Sequence, residues 1–246
     1  MNVLITGGTK GIGLATAVHF AARGGHIFLN YANDDAAGRA ALAAVNDAGG
    51  TGHLIKADIG SSPEVARMAG VVSSTVDHLD LIFHCALQTV QGKALDIPMA
   101  EWNRAVQVST LSVIDIVREC LPLLKRGSTV LGISSKGATH AVPNYAAVGA
   151  PKAFTESLFR YLAVELAPRG IRVNVIAAGP VDTEAFRSMF PDGVAEQRLA
   201  AAAKANPSGR GLEIADIVSV IDFLASPGAQ MLQGRVIFVD GGLYLQ

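Results

Sequence analysis

Residues 2–13 read NVLITGGTKGIG, a short apolar run that breaks into glycines and then gives way to apolar residues at helical spacing through Arg23. A strand, a glycine turn and a helix in that order make the first half of a βαβ unit. The glycines let the backbone approach a phosphate, which the helix N-terminus favours through its unpaired N–H groups and dipole. The expected contacts are Gly7, Gly11 and Gly13, with Ile12 at the helix entrance. Tight strand-to-helix turns use glycine on steric grounds alone, so the loop gains its meaning from the rest of the chain.

Beyond Arg23 the same alternation repeats. Strands are expected at 26–30, 53–56, 79–83, 128–133, 171–176 and 235–239, with helices at 35–48, from 62 onward, at about 99–124, from near 147–150 to 166, and at 214–225. Each crossover is long enough for a right-handed connection. The prediction is a single α/β domain over 1–246, a Rossmann-like doubly wound parallel sheet of about seven strands with helices on both faces. The alanine-rich, weakly periodic segment 184–211, punctuated by Pro191, Gly193, Pro207 and Gly209, is expected to be a mobile lid. Its Phe186, Met189, Phe190 and Leu199 would line an acyl tunnel, and Arg187, Arg198, Lys204 or Arg210 would meet an acidic carrier.

A net charge of −1 gives no electrostatic reason to expect nucleic acid. No apolar run reaches the roughly 18 residues of a membrane span. Asp, Glu and His show no metal-ligand spacing, so no metal is expected. Two cysteines, Cys85 and Cys120, are too few for a disulfide framework and suggest a reducing compartment. With a strand beginning at Asn2 there is no room for a signal peptide, and a cytoplasmic protein is expected.

Ligands of such a sheet bind past the carboxyl ends of its strands, where the glycine loop, His84, Ser134, Ser135, Tyr145 and Thr183 would gather. A site for NAD usually has an acid at the end of the second strand, where this chain has Tyr31 and Ala32. Lys10 is placed to face a 2′-phosphate, so NADPH is expected as cofactor, with NADH the weaker alternative. Asp34 and Asp35 point the other way, but read first as the acidic start of a helix. Asp58, with Ile59 beside it, is placed either to hold the adenine amino group or to cap a turn.

The second decisive stretch is 133–166, ISSKGATHAVPNYAAVGAPKAFTESLFRYLAVEL, which places Tyr145 and Lys152 at the mouth of an amphipathic helix. They read either as a proton donor with a cation that lowers its pKa, or as an interface aromatic and a solvated cation; the glycine loop favours the first. Pro151 is expected in the first turn of the helix, because an interior proline costs roughly 3 kcal/mol, and Tyr145 on the incoming loop.

Over essentially its whole length the chain resembles the short-chain dehydrogenase/reductases. TGGTKGIG at 6–13 matches their cofactor fingerprint, Asp58 their adenine contact, AGPVDT at 178–183 their nicotinamide-side loop and VDGG at 239–242 their terminal signature. The resemblance assigns Gly179, Val181 and Thr183 to the cofactor, and Lys152 to the nicotinamide ribose. Common members place the catalytic tyrosine four residues before the lysine, where this chain has Val148. The string PNY, a glycine four after the tyrosine and the lysine seven after it are similar to the enoyl-acyl-carrier-protein reductase branch. His84-Cys85 in place of two asparagines, and Ser109 in place of the helix asparagine, fit the same branch. The glycine loop keeps the form of its NADPH-using class.

That resemblance implies reduction of a trans-2-enoyl thioester, on an acyl carrier protein or coenzyme A, in fatty-acid or polyketide-type biosynthesis. Tyr145 would bind the developing oxyanion. Ser135, ten residues before it, reads as a catalytic hydroxyl or a plain strand-end serine. His84 would lie beside the nicotinamide, packing or hydrogen-bonding rather than acting as an acid, and Cys85 is a small buried hydrophobe. The competing readings are an NADPH-dependent carbonyl or ketoacyl reductase and a cofactor-binding non-redox member of the same fold. By analogy the chain forms a homotetramer through its 99–124 and 147–166 helices.

Overall fold

The computed structural model describes residues 1–245. Its strands are β1 (Asn2–Thr6), β2 (His26–Tyr31), β3 (Thr51–Lys56), β4 (Leu79–His84), β5 (Leu124–Ser135), β6 (Arg172–Ala178) and β7 (Val236–Val239). They form one sheet in the order β3-β2-β1-β4-β5-β6-β7, parallel throughout. The chain winds outward from β1 to β3 and then returns to β4 on the other side, so a crevice opens at the carboxyl ends of β1 and β4. Thr6 and His84 are paired there.

Alternation along each strand feeds two cores. Leu4 and Phe28 face one, with Met68 and Val72 of α3 (Ser62–Thr75), Ile116 of α5 (Ser112–Cys120) and Phe159 of α6 (Ala146–Leu166). Val3, Ile5, Ile27 and Leu29 face the other, with Ala17 and Phe20 of α1 (Gly11–Ala21), Ala41 of α2 (Asp35–Asp47) and Ile217 and Ile221 of α9 (Ile214–Ala225). Strands covered on both faces become near-continuous apolar runs, as β1, β4 and β6 are.

Two expected elements differ. The 99–124 helix is α4 (Met99–Val106), a widened π turn at Gln107–Leu111, α5, and a 3₁₀ turn at Leu121–Leu123 from which β5 continues directly. The π turn releases the Ser109 carbonyl to accept from His84 Nε2 (3.3 Å), and Ser112 Oγ closes on the Val108 carbonyl (2.8 Å). Helix α6 starts at Ala146 with Tyr145 as its N-cap, so Pro151 is its sixth residue rather than part of the first turn. Proline has no N–H for the Ala147 carbonyl, and its own carbonyl accepts from the Thr110 (2.9 Å) and Thr155 (3.0 Å) hydroxyls.

The expected lid holds two helices, α7 (Glu184–Arg187) and α8 (Val194–Ala205). Among the described residues no helix is long and apolar enough to cross a membrane.

Candidate active site

After Thr6 the chain turns through Gly7, whose φ of 63° suits glycine, and enters α1. A Cβ added at Gly13 would stand 2.3 Å from the Gly7 carbonyl oxygen, so the first turn of α1 lies directly on the loop. The N-cap, Lys10, makes no side-chain capping bond and the first turn carries no acid, which leaves the N–H groups near Gly11 and Ile12 available to an anion. This cradle fits the pyrophosphate of a dinucleotide.

The outer groups are already partnered. Lys10 Nζ lies 2.7 Å from Asp34 and 2.9 Å from Glu184 at the start of α7, and Asp34, then Glu184, hold its pKa above the ordinary lysine range. Asp34 also caps α2 by accepting from the Ala37 N–H (2.9 Å), the role its position suggested. The Tyr31 hydroxyl donates to Asp35 (2.9 Å). Asp58 Oδ1 accepts from the Gly60 N–H (2.9 Å) and from Arg104 of α4 (2.7 Å), so its turn-capping role is real and an adenine would share it with Arg104. The Ile59 side chain is buried in the core, so only its backbone could serve the expected cofactor contact.

On the opposite wall, Gly179 N–H donates to the Val239 carbonyl (2.9 Å) and Val181 is buried. Thr183 roofs Gly11 and caps α7, its Oγ1 accepting from the Phe186 N–H (3.0 Å).

At the end of β5, Ser135 Oγ lies 3.3 Å from the Tyr145 phenol oxygen. Two glycines make that placement possible: a Cβ at Gly137 would meet the Tyr145 ring at 2.6 Å, and one at Gly149 would meet the Gly137 carbonyl at 2.7 Å. Asn144 holds φ at 59°, a left-handed turn asparagine tolerates, and its carbonyl accepts from the Gly92 N–H (3.2 Å). Burial raises the Tyr145 pKa against a small opposing effect of Ser135. Lys152 is 4 % exposed and donates to the Ile133 carbonyl (2.8 Å); burial lowers it to about 8 despite Cys85 and Glu156. Among the described residues no hydrogen bond joins Tyr145 to Lys152, and the phenol is shifted up, not down. The expected ammonium-lowered tyrosine is therefore corrected.

His84 hydrogen-bonds rather than serving as an acid, as expected, but its side chain points away from the place expected for it. Expected beside the cofactor, it is 2 % exposed and bonded inward on both nitrogens. Thr6 Oγ1 accepts from the Cys85 (3.2 Å) and Ala86 (3.3 Å) N–H groups, so its proton goes to His84 Nδ1 (3.0 Å) and Nε2–H goes to Ser109. Burial first, then Lys152, lowers its pKa to about 4. A histidine neutral in the fold and protonated in the unfolded chain contributes fully above pH 6.5, and that contribution falls with pH until about 4. Wild type is expected to lose about 2 kcal/mol more than His84→Gln between pH 7 and 5 in urea unfolding. Equal losses would remove His84 from this role.

Three of the four cations expected to meet a carrier have partners within the fold. Arg187 is bound by Asp182 (2.6 and 2.7 Å) and Glu196, Arg210 by Asp216 (2.6 and 2.7 Å), and Arg198 lies 4.5 Å over the Phe190 ring. The sequence did not single out Gln91, which donates to the Ser188 carbonyl, or Lys136, 4.4 Å over the ring of Tyr244. Tyr244 returns from the chain end with no local signal. Glu156, four after Lys152 on one helix face, is legible from spacing.

The family model described as Enoyl-(Acyl carrier protein) reductase matches residues 7–244. The chain is 29% identical over 240 residues to the 1-cyclohexenylcarbonyl-CoA reductase of Streptomyces collinus, covering 98% of this chain and 85% of that protein. It is 30% identical over 250 residues to the versicolorin reductase stcU of Emericella nidulans, covering 98% and 94%. A short chain dehydrogenase from Burkholderia cenocepacia in complex with NADP superposes with a TM-score of 0.88 at 25% identity, covering 98% and 96%.

Proposed function

The chain belongs to the short-chain dehydrogenase/reductases, an oxidoreductase family, and from that premise we propose that it reduces trans-2-enoyl thioesters with NADPH, the acyl group arriving on a carrier protein in fatty-acid or polyketide-type assembly. The observation that carries the reading is Tyr145: a half-buried phenol on a helix cap, seven residues ahead of a buried lysine it does not touch. Reduction at a β-carbon leaves an enolate on the thioester oxygen, which needs a fixed hydrogen-bond donor more than a proton relay. A phenol whose pKa is raised stays protonated and serves as that donor. Bound NADPH supplies the hydride. Lys152 holds the nicotinamide ribose from beneath, the Gly7–Gly13 loop and the start of α1 hold the pyrophosphate, and the lid excludes water. The family description and the cyclohexenylcarbonyl-CoA relative support the thioester substrate.

The Ser135–Tyr145 pair and the versicolorin relative favour a second reading, a carbonyl reductase. Turnover of NADPH with a crotonyl thioester beside a panel of small ketones separates the two, and reduction of ketones alone would overturn the enoyl assignment. The exposed Phe154, Tyr161 and Val164 on α6 support assembly of a homotetramer through that face.

The NADPH preference rests on Lys10. Its two carboxylate partners are side chains in solvent, and a 2′-phosphate offers the same ammonium a denser negative charge. Lys10→Ala is expected to weaken NADPH about tenfold and NADH less than twofold, as measured by titration of each cofactor. Equal loss for both would remove Lys10 as the reader of the phosphate.

A further inference from the structure

Beneath the cofactor-facing surface, α6 carries two buried ionisable side chains one turn apart. Lys152 and Glu156 share one helix face, and both meet the end of β5 at successive residues. Lys152 Nζ donates to the Ile133 carbonyl at 2.8 Å, and Glu156 Oε1 accepts from Ser134 Oγ at 2.6 Å. Glu156 is 9 % exposed and Ser134 3 %. A buried carboxylate is costly to keep unless it is hydrogen-bonded and faces a cation, so its presence here asks for a reason. We infer that Glu156, anchored by Ser134, is a positioning residue that keeps Lys152 protonated so that it can hold the cofactor ribose.

The other groups facing Lys152 do not supply that charge. From the end of β4 come His84, neutral above about pH 4, and Cys85, whose thiol burial pushes up to about 11. Tyr145, at the cap of the same helix, is shifted up and is also uncharged in the neutral range. Among the described residues this leaves Glu156, one turn along α6, as the carboxyl group that favours the charged ammonium. Burial has already brought Lys152 down to about 8, so a modest further fall would leave it uncharged at working pH. Among the described residues no ion pair within 4 Å joins the carboxylate to Lys152. It acts through the field and leaves all three ammonium protons for the carbonyl and the ribose.

The inference rests on the ribose-holding role proposed for Lys152 and is tested without substrate. NADPH affinity of the whole protein is measured by nicotinamide fluorescence from pH 6 to 9.5. Wild type should bind with an alkaline limb near 8. Glu156→Gln, which keeps the shape and the Ser134 contact, should move that limb acid by about one pH unit. Affinity would then be about fivefold weaker at pH 8 and within twofold of wild type at pH 6. Glu156→Asp, which retains the charge but withdraws it by one methylene, should shift the limb the same way by less; it serves alone if the glutamine variant does not fold. A limb that stays in place, or an equal loss of affinity at every pH, overturns the inference and leaves the reading of Lys152 standing. Failure of wild type to bind NADPH at any pH overturns both.

Discussion

Tyr145→Phe is expected to lower kcat for a trans-2-enoyl thioester about 100- to 1,000-fold while NADPH affinity stays within about twofold, because it removes one oxyanion donor and nothing else. The ring is clamped between backbones that only glycine allows, at Gly137 and Gly149, so phenylalanine keeps the packing. On the proposed reading the cofactor is held elsewhere, by the glycine loop and Lys152. Ser135 loses its 3.3 Å neighbour but keeps the Gly137 N–H (3.3 Å), so the strand end is not disturbed. In kinetic terms an interaction made only in the transition state is lost, which appears equally in kcat and kcat/KM. A variant that reduces the thioester at the wild-type rate would take Tyr145 out of the chemistry.

Local patterning is legible in the sequence wherever it alone determines the outcome. The alternation of strands and helices, the glycine turn after β1 and the limits of α9 come from periodicity and punctuation, and the structure shares them. Local pattern fails wherever a distant partner decides. Helical periodicity runs unbroken through 99–124, yet the turn at Ser109 widens because a histidine from β4 takes its carbonyl. His84 turns inward because the parallel register sets it against Thr6, 78 residues away. Lys10 meets its carboxylates 24 and 174 residues along the chain. The arginines of 184–211 are a different case, because the acids that bind Arg187 and Arg210 lie only five to nine residues away, at spacings that no helix or strand period marks. Pro151 is expected too early for another reason: the rule against interior proline assumes an unsupported helix. Here Pro151 is buried where α6 packs on the π turn, and its carbonyl accepts from the Thr110 and Thr155 hydroxyls, so tertiary contacts hold the helix through the proline.

Lys152→Met is expected to abolish measurable NADPH binding and, at the same time, to stabilise the apo protein by about 2 kcal/mol at pH 7. The two effects have one cause. An ammonium that burial lowers from 10.5 to about 8 is charged in both folded and unfolded chains at pH 7, and the folded state bears its desolvation, about 3 kcal/mol. Linkage gives the sign: the unfolded chain binds the proton more tightly, so wild-type stability rises as pH climbs from 8 to 10.5, and is lowest below that window. Methionine has nearly the length of the lysine stem and no charge to desolvate. Against the gain stands the Ile133 carbonyl, left without its 2.8 Å donor at about 1 kcal/mol. The net gain corresponds to a Tm higher by about 4–8 °C for a chain of this size. Urea unfolding of apo wild type and variant at pH 7 and pH 10 separates this from a packing effect, because the advantage of the variant should shrink at the higher pH. A variant that is less stable at pH 7, or one whose advantage does not change with pH, would show that the buried lysine carries no such cost. A variant that still binds NADPH like wild type would show that the ribose is held by other residues.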